Sequence, residues 1–72
     1  MKTIPLLAAV ALTVDIPEQN LTRGQMGTVV EHLERPGEHA LLVEFSDDQS
    51  QTYAMVELAP DQVMVLHRKI AA

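Results

Sequence analysis

The order of apolar and polar positions along the chain divides it into short β-like runs separated by turn chemistry. "AAVALTV", Ala8 to Val14, mixes alanine with β-branched residues and is halted by Asp15-Ile16-Pro17-Glu18, which predicts a first strand over Val10 to Val14. A helix is the competing assignment for this run. "PEQNLTRG", residues 17 to 24, is polar apart from Leu21, so it reads as a long loop whose one apolar side chain dips back to plug an end of the core. Gly24 is placed to supply a positive φ in the turn that leaves this loop, whereas Gly27 falls inside the next strand. There a bare backbone lets another strand cross closely or a bulge form. Thr28-Val29-Val30 is then the β-branched body of a second strand ending near Leu33.

"ERPG", Glu34 to Gly37, is punctuated by Pro36 and Gly37 and joins this strand to a third over Ala40 to Phe45. In the third strand Leu41, Val43 and Phe45 alternate with Ala40, Leu42 and Glu44, and the first set is the expected core face. "SDDQSQ" supplies the next turn, and Thr52 to Leu58 a fourth strand whose faces are Thr52, Ala54, Val56 and Leu58 against Tyr53, Met55 and Glu57. "APDQ" predicts a single helical turn led by Pro60, followed by a short fifth strand, "VMVLH", and a frayed tail from about residue 68 to Ala72. Short strands at roughly ten-residue spacing, a long loop after the first and a one-turn break before the last define the expected fold. It is all-β, a small five-stranded SH3-like barrel with a one-turn 3-10 helix before the last strand, and residues 1 to 72 form one domain.

Composition narrows what such a barrel does. At 72 residues the chain has material for one core, and with one Phe, one Tyr and no Trp that core is built from aliphatic residues and methionine. The chain has no cysteine, which removes disulfides, thiolate zinc sites and thiol redox chemistry and points to a cytoplasmic address. Ten acids against five bases give a net charge of −5, and the bases Lys2, Arg23, Arg35, Arg68 and Lys69 are scattered. Nucleic acid is a poor partner for this surface, because phosphate binding wants clustered cations and single strands want aromatic platforms. The start, "MKTIPLLAAVALTV", has the outline of a secretory signal, with Lys2 before an apolar run from Ile4 to Leu12. Pro5 and the thin positive charge favour a buried first strand instead, and the run is too short for a membrane span of ~20 apolar residues.

Three stretches carry a resemblance: "DIPEQNLTRGQMGTVVEHL", "LVEFSDDQSQTYAMVEL" and the closing "DQV". Their diagnostic residues are Arg23-Gly24 with Gly27-Thr28-Val29-Val30, then Val43-Glu44-Phe45, then Thr52-Tyr53-Ala54. Over most of residues 8 to 66 the chain resembles a bacterial family of small stand-alone proteins described as a domain of unknown function, number 4926. The resemblance implies an SH3-like fold and no activity. The glycine-flanked second strand also looks like the KOW element of ribosomal and transcription-factor barrels, without the basic residues those modules use on RNA.

Candidate chemistry is sparse. With Glu34 to Gly37 as the loop, His32 faces His39 across the hairpin at ~5 Å between β-carbons, close enough to share a metal ion with Glu31 or Glu34. Two opposed surface histidines are the alternative, and no resident metal or other cofactor is expected. Asp47-Asp48 with Glu44 and Glu57 lack the spacing of a calcium loop, and Ser46 and Ser50 have no nearby base to activate them. Tyr53 with Phe45 falls short of the aromatic ridges that grip proline-rich peptides. The chain therefore reads as a non-enzymatic, acidic protein-binding module for a partner with a basic surface, with the neutralising half of a two-protein pair as one form of it. Candidate contacts are Arg23 at the loop tip, Tyr53, and the outward apolar residues Leu42, Met55 and Met64. Pairing of strand edges between two copies offers a homodimer route. Competing readings are an adaptor subunit of a larger complex and a KOW-like nucleic-acid-binding barrel.

Overall fold

The computed structural model describes residues 4–46 and 52–66, without the side chains of Thr52 and Tyr53. Five antiparallel strands form one sheet: β1 (Ala9–Leu12), β2 (Met26–Arg35), β3 (Glu38–Ser46), β4 (Thr52–Leu58) and β5 (Val63–Val65), in the order β4-β3-β2-β1-β5. Short 3-10 turns at Pro17–Gln19 and Pro60–Gln62 are the helical elements among the described residues. None of the helical segments there is long and apolar enough to cross a membrane. The "SDDQSQ" turn over residues 46 to 51 lies, but for Ser46, outside the described residues, as do Lys2, the tail from 67 onward and the expected end of the fifth strand.

Connectivity forces the sheet to curl. β4 and β5 are its two edges, which in a flat sheet of this order would stand about 19 Å apart. They also run in the same direction, so a flat linker would have to travel back along a strand as well. Ala59–Gln62 is too short for that, since its 3-10 turn advances only ~2 Å per residue. That turn is held locally, with the Gln62 side chain accepting from the Ala59 N–H at 2.8 Å and the Gln62 N–H donating to the Ala59 carbonyl at 3.0 Å. Thr13 ties it to the end of β1, through its N–H to the Gln62 carbonyl and its hydroxyl to the Asp61 carbonyl. The enclosed side of the curl is one apolar cluster drawn from all five strands: Val10, Leu12, Val29, Leu41, Val43, Phe45, Val56, Leu58 and Val63, with Leu21 from the long loop. Leu21 is the expected plug, 1% exposed and bridged to Ile16.

Gly27 is where β2 is crossed. A β-carbon on it would lie 2.8 Å from Val43 Cγ1, 2.9 Å from the Glu44 carbonyl oxygen and 2.9 Å from Phe45 Cε1. The crossing expected there is present, but the bulge is not at this residue. It sits at Val30, between the pairs Val29↔Val43 and Glu31↔Leu42. Gly24 has the positive φ expected of it, +91°.

Several boundaries differ from expectation: β3, at Glu38–Ser46, outruns the expected Ala40 to Phe45 at both ends, and β5 stops at Val65, before Leu66. β1 begins at Ala9 and stops at Leu12, one residue early at the start and two short of Val14 at the end. The residues before it do not prolong a buried strand. Leu6 and Leu7 form an exposed turn closed by the Ala8 N–H on the Pro5 carbonyl, with Leu7 at φ 67°. β2 runs past Leu33 to Arg35, because the hairpin turn uses only Pro36 and Gly37. Proline's fixed φ followed by Gly37 at φ +76° suits a type II turn, so Arg35 and Glu38 still pair.

Candidate functional site

The two-residue turn moves the histidines off the expected pairing. His32 stands opposite Leu41, and His39 opposite Glu34. The bulge at Val30 then matters, because it puts Val29 and His32, three residues apart, on the same inward face. His32 is consequently half-buried beside Leu41, its Nε2 is enclosed without a hydrogen-bond partner, and its ring meets that of the diagonal neighbour His39 edge-on at 5.5 Å. The Glu34 carboxylate is 3.9 Å from His39 Nδ1, while Glu31 takes the opposite face of the sheet. Among the described residues no group of three or more potential ligands is arranged to hold a metal ion. The cluster is a hairpin-end packing contact with one side open to solvent.

The outward face tells a different story. Along the ladder Met64, Ala11 and Met26 stand side by side across β5, β1 and β2, and Ala9, Thr28, Glu44 and Met55 across β1 to β4. Period-two alternation puts both rows on the same, outer side of the sheet. An outward strand face in a small soluble domain is ordinarily polar; here Met26, Met55 and Met64 are 63%, 55% and 57% exposed. Ala9, Met26, Gly27, Thr28, Glu44 and Ser46 bound a shallow depression of about 230 Å³ on this face. Glu44, half-buried in its wall, makes no ion pair among the described residues.

Toward the hairpin tip the same face turns acidic and self-paired. Leu42, between Glu31 and Glu57 along the ladder, is half-buried and presents less apolar surface than expected. Arg35 reaches across β3 to grip both carboxylate oxygens of Glu57, at 2.7 and 3.0 Å. That grip holds the Glu57 carboxyl below the usual carboxylate range and the Arg35 guanidinium above its ordinary value. Arg23, at the tip of the long loop, is exposed, and its backbone N–H is fixed by the Asp15 carboxylate at 2.8 Å. It lies three residues before Met26, at the β1–β2 end from which the methionine rows start. The Tyr53 side chain is outside the described residues.

Of the expected contact residues, Met55 and Met64 share this outer face, Leu42 borders it, and Arg23 lies on the loop that leads into β2. Met26 was missed by sequence reasoning. Its neighbours Gln25 and Gly27 disguise it as loop, and the signal that finds it is its ladder pairing with Ala11. Leu6 and Leu7, 58% and 75% exposed, are further outward apolar residues that the pattern had assigned to a buried run.

Comparison with known proteins adds one finding. A family model described as "Domain of unknown function (DUF4926)" matches residues 6–65. No curated protein and no solved structure matches the chain.

Proposed function

The chain belongs to the family described as a domain of unknown function (DUF4926), and on that premise we propose that it is a non-enzymatic module that docks on another protein through its outer methionine face. The observation that carries this reading is the exposure of Met26, Met55 and Met64 on one side of the sheet, where each leaves an unbranched, adaptable apolar side chain in water. Methionine surfaces of this kind re-pack around a partner. The strand order, the long loop after β1 and the 3-10 turn before β5 support an SH3-like barrel as the scaffold. The absence of cysteine supports a cytoplasmic site of action, and the family resemblance supports a bacterial source.

The net charge of −5 favours a partner with a basic surface over nucleic acid, and over a second copy of this chain. Sheet order leaves one edge of β4 and one of β5 outside the ladders, so edge pairing between copies is the second reading, opposed by that same charge. The test is affinity capture from the native host with the wild type and with a Met26→Ser/Met64→Ser variant. Exposed substitutions of this kind leave stability within about 0.5 kcal/mol. One stoichiometric protein held by the wild type and lost by the variant, at unchanged melting temperature, is the expected result. Retention of that partner by the variant would remove the methionine face from the interface.

A further inference from the structure

We propose, building on the docking reading above, that the depression bounded by Ala9, Met26, Thr28, Glu44 and Ser46 seats one arginine or lysine side chain projecting from a basic peptide segment of the partner. Its volume, about 230 Å³, is below the ~300–1,000 Å³ of small-molecule pockets and suits a single long side chain. The walls are chemically divided. Met26 and Ala9 offer apolar surface on one side, and Glu44 offers a carboxylate on the other. A side chain with an alkyl stem and a cationic head matches both halves at once.

Glu44 is the residue that makes the seat selective. It is half-buried and flanked along the ladder by Thr28 and Met55, neither of which brings positive charge. Drawing a carboxylate partly out of water is unfavourable unless a cation or several donors meet it. Glu57, the carboxylate on the same face nearer the hairpin tip, has this need met inside the chain by the fork of Arg35. Glu44 has no such partner among the described residues, and a cation supplied from outside completes it. A second copy of this chain is the weaker occupant, because two chains that each carry a net charge of −5 repel.

The experiment follows the methyl resonances of Met26, Met55 and Met64 in the full chain, labelled at the methionine methyls. The probes are an acetylated, amidated peptide alternating leucine and arginine and its counterparts with norleucine or glutamate in place of arginine. The arginine peptide should give saturable shifts at Met26. Glu44→Gln, which is isosteric and should melt at the wild-type temperature, should weaken that binding about three- to tenfold. Equal affinity for the norleucine peptide, or undiminished binding by Glu44→Gln, would overturn the cationic seat and leave the methionine face standing. Silence at Met26 and Met64 with every peptide would overturn both. Shifts at those methyls on simple concentration of the protein alone would give the face to a second copy and overturn the seat.

Discussion

Gly27→Ala should destabilise the protein although alanine is the less costly residue to order. The added β-carbon would stand 2.8 Å from Val43 Cγ1 and 2.9 Å from both the Glu44 carbonyl oxygen and Phe45 Cε1. Carbon atoms attract best at ~3.5–4.0 Å, so each approach is deeply repulsive. Val43 and Phe45 are fully buried, which leaves their side chains no space into which to rotate. The Glu44 oxygen is part of the β3 backbone and moves only if the ladder moves. Overpacking a close-packed site costs ~1–3 kcal/mol. Three simultaneous overlaps, one with backbone, put this case at the upper end, and alanine's gain of ~0.5–1 kcal/mol through the unfolded chain is subtracted. The net loss is about 2 kcal/mol, which for a domain of this size lowers the melting temperature by ~8–16 °C. The assay is urea unfolding followed by far-UV circular dichroism: the midpoint should fall with the slope unchanged. Gly24→Ala is the control, because nothing lies within 4 Å of its β-carbon and its cost, ~1–2 kcal/mol, comes from φ +91° alone. An unchanged or higher midpoint for Gly27→Ala would mean that the β-carbon finds room, and the account of how β2 is crossed would be wrong.

Leu41→Ala should cost ~2–5 kcal/mol, because Leu41 is fully buried in the core, while Leu42→Ala should cost about 1 kcal/mol or less at its half-buried outer position. Chemical denaturation of both checks this, and the reverse order would invert the faces of β3. Arg35→Met should lower stability slightly near neutral pH, and more at low than at high salt, since both side chains of the pair are about half exposed. The Glu57 carboxyl is held below its ordinary range in the folded state, so its contribution is present above the unfolded-state value and lost as pH falls through the folded one. Arg35 is raised, so its share persists until strongly alkaline pH. The difference between wild type and variant should therefore shrink as pH is lowered to about 3, and a difference constant across that range would refute the assignment.

The faces of β3 and β4 were legible because the ladder between them runs from Leu41↔Leu58 to Phe45↔Ala54 without a break, and the bulge opposite Val43 and Leu42 puts its extra residue in β2, so strict alternation in the sequence becomes strict alternation in space. β2 was not legible in the same way. Its bulge at Val30 reverses the alternation for every residue toward the hairpin, carrying His32 inward and Leu33 outward, and no residue type around Val30 announces it. The histidine pairing shows how small a change suffices. Arg35 and Glu38 pair across a two-residue turn where four loop residues were expected, and the direct opposition of His32 and His39 becomes a diagonal contact.

Alternation, turn chemistry and the lone glycine in β2 by themselves determined an all-β chain of five short strands, a 3-10 turn before the last, and an aliphatic core on named faces. These are local properties, and each residue's backbone preference and neighbours suffice to set them. Tertiary structure alone decided that Met26, Ala11 and Met64 become neighbours, that Glu44 meets no cation among the described residues, and that His32 turns inward. Each depends on the register between strands distant in sequence, and a single extra residue in one strand changes which side chains share a face.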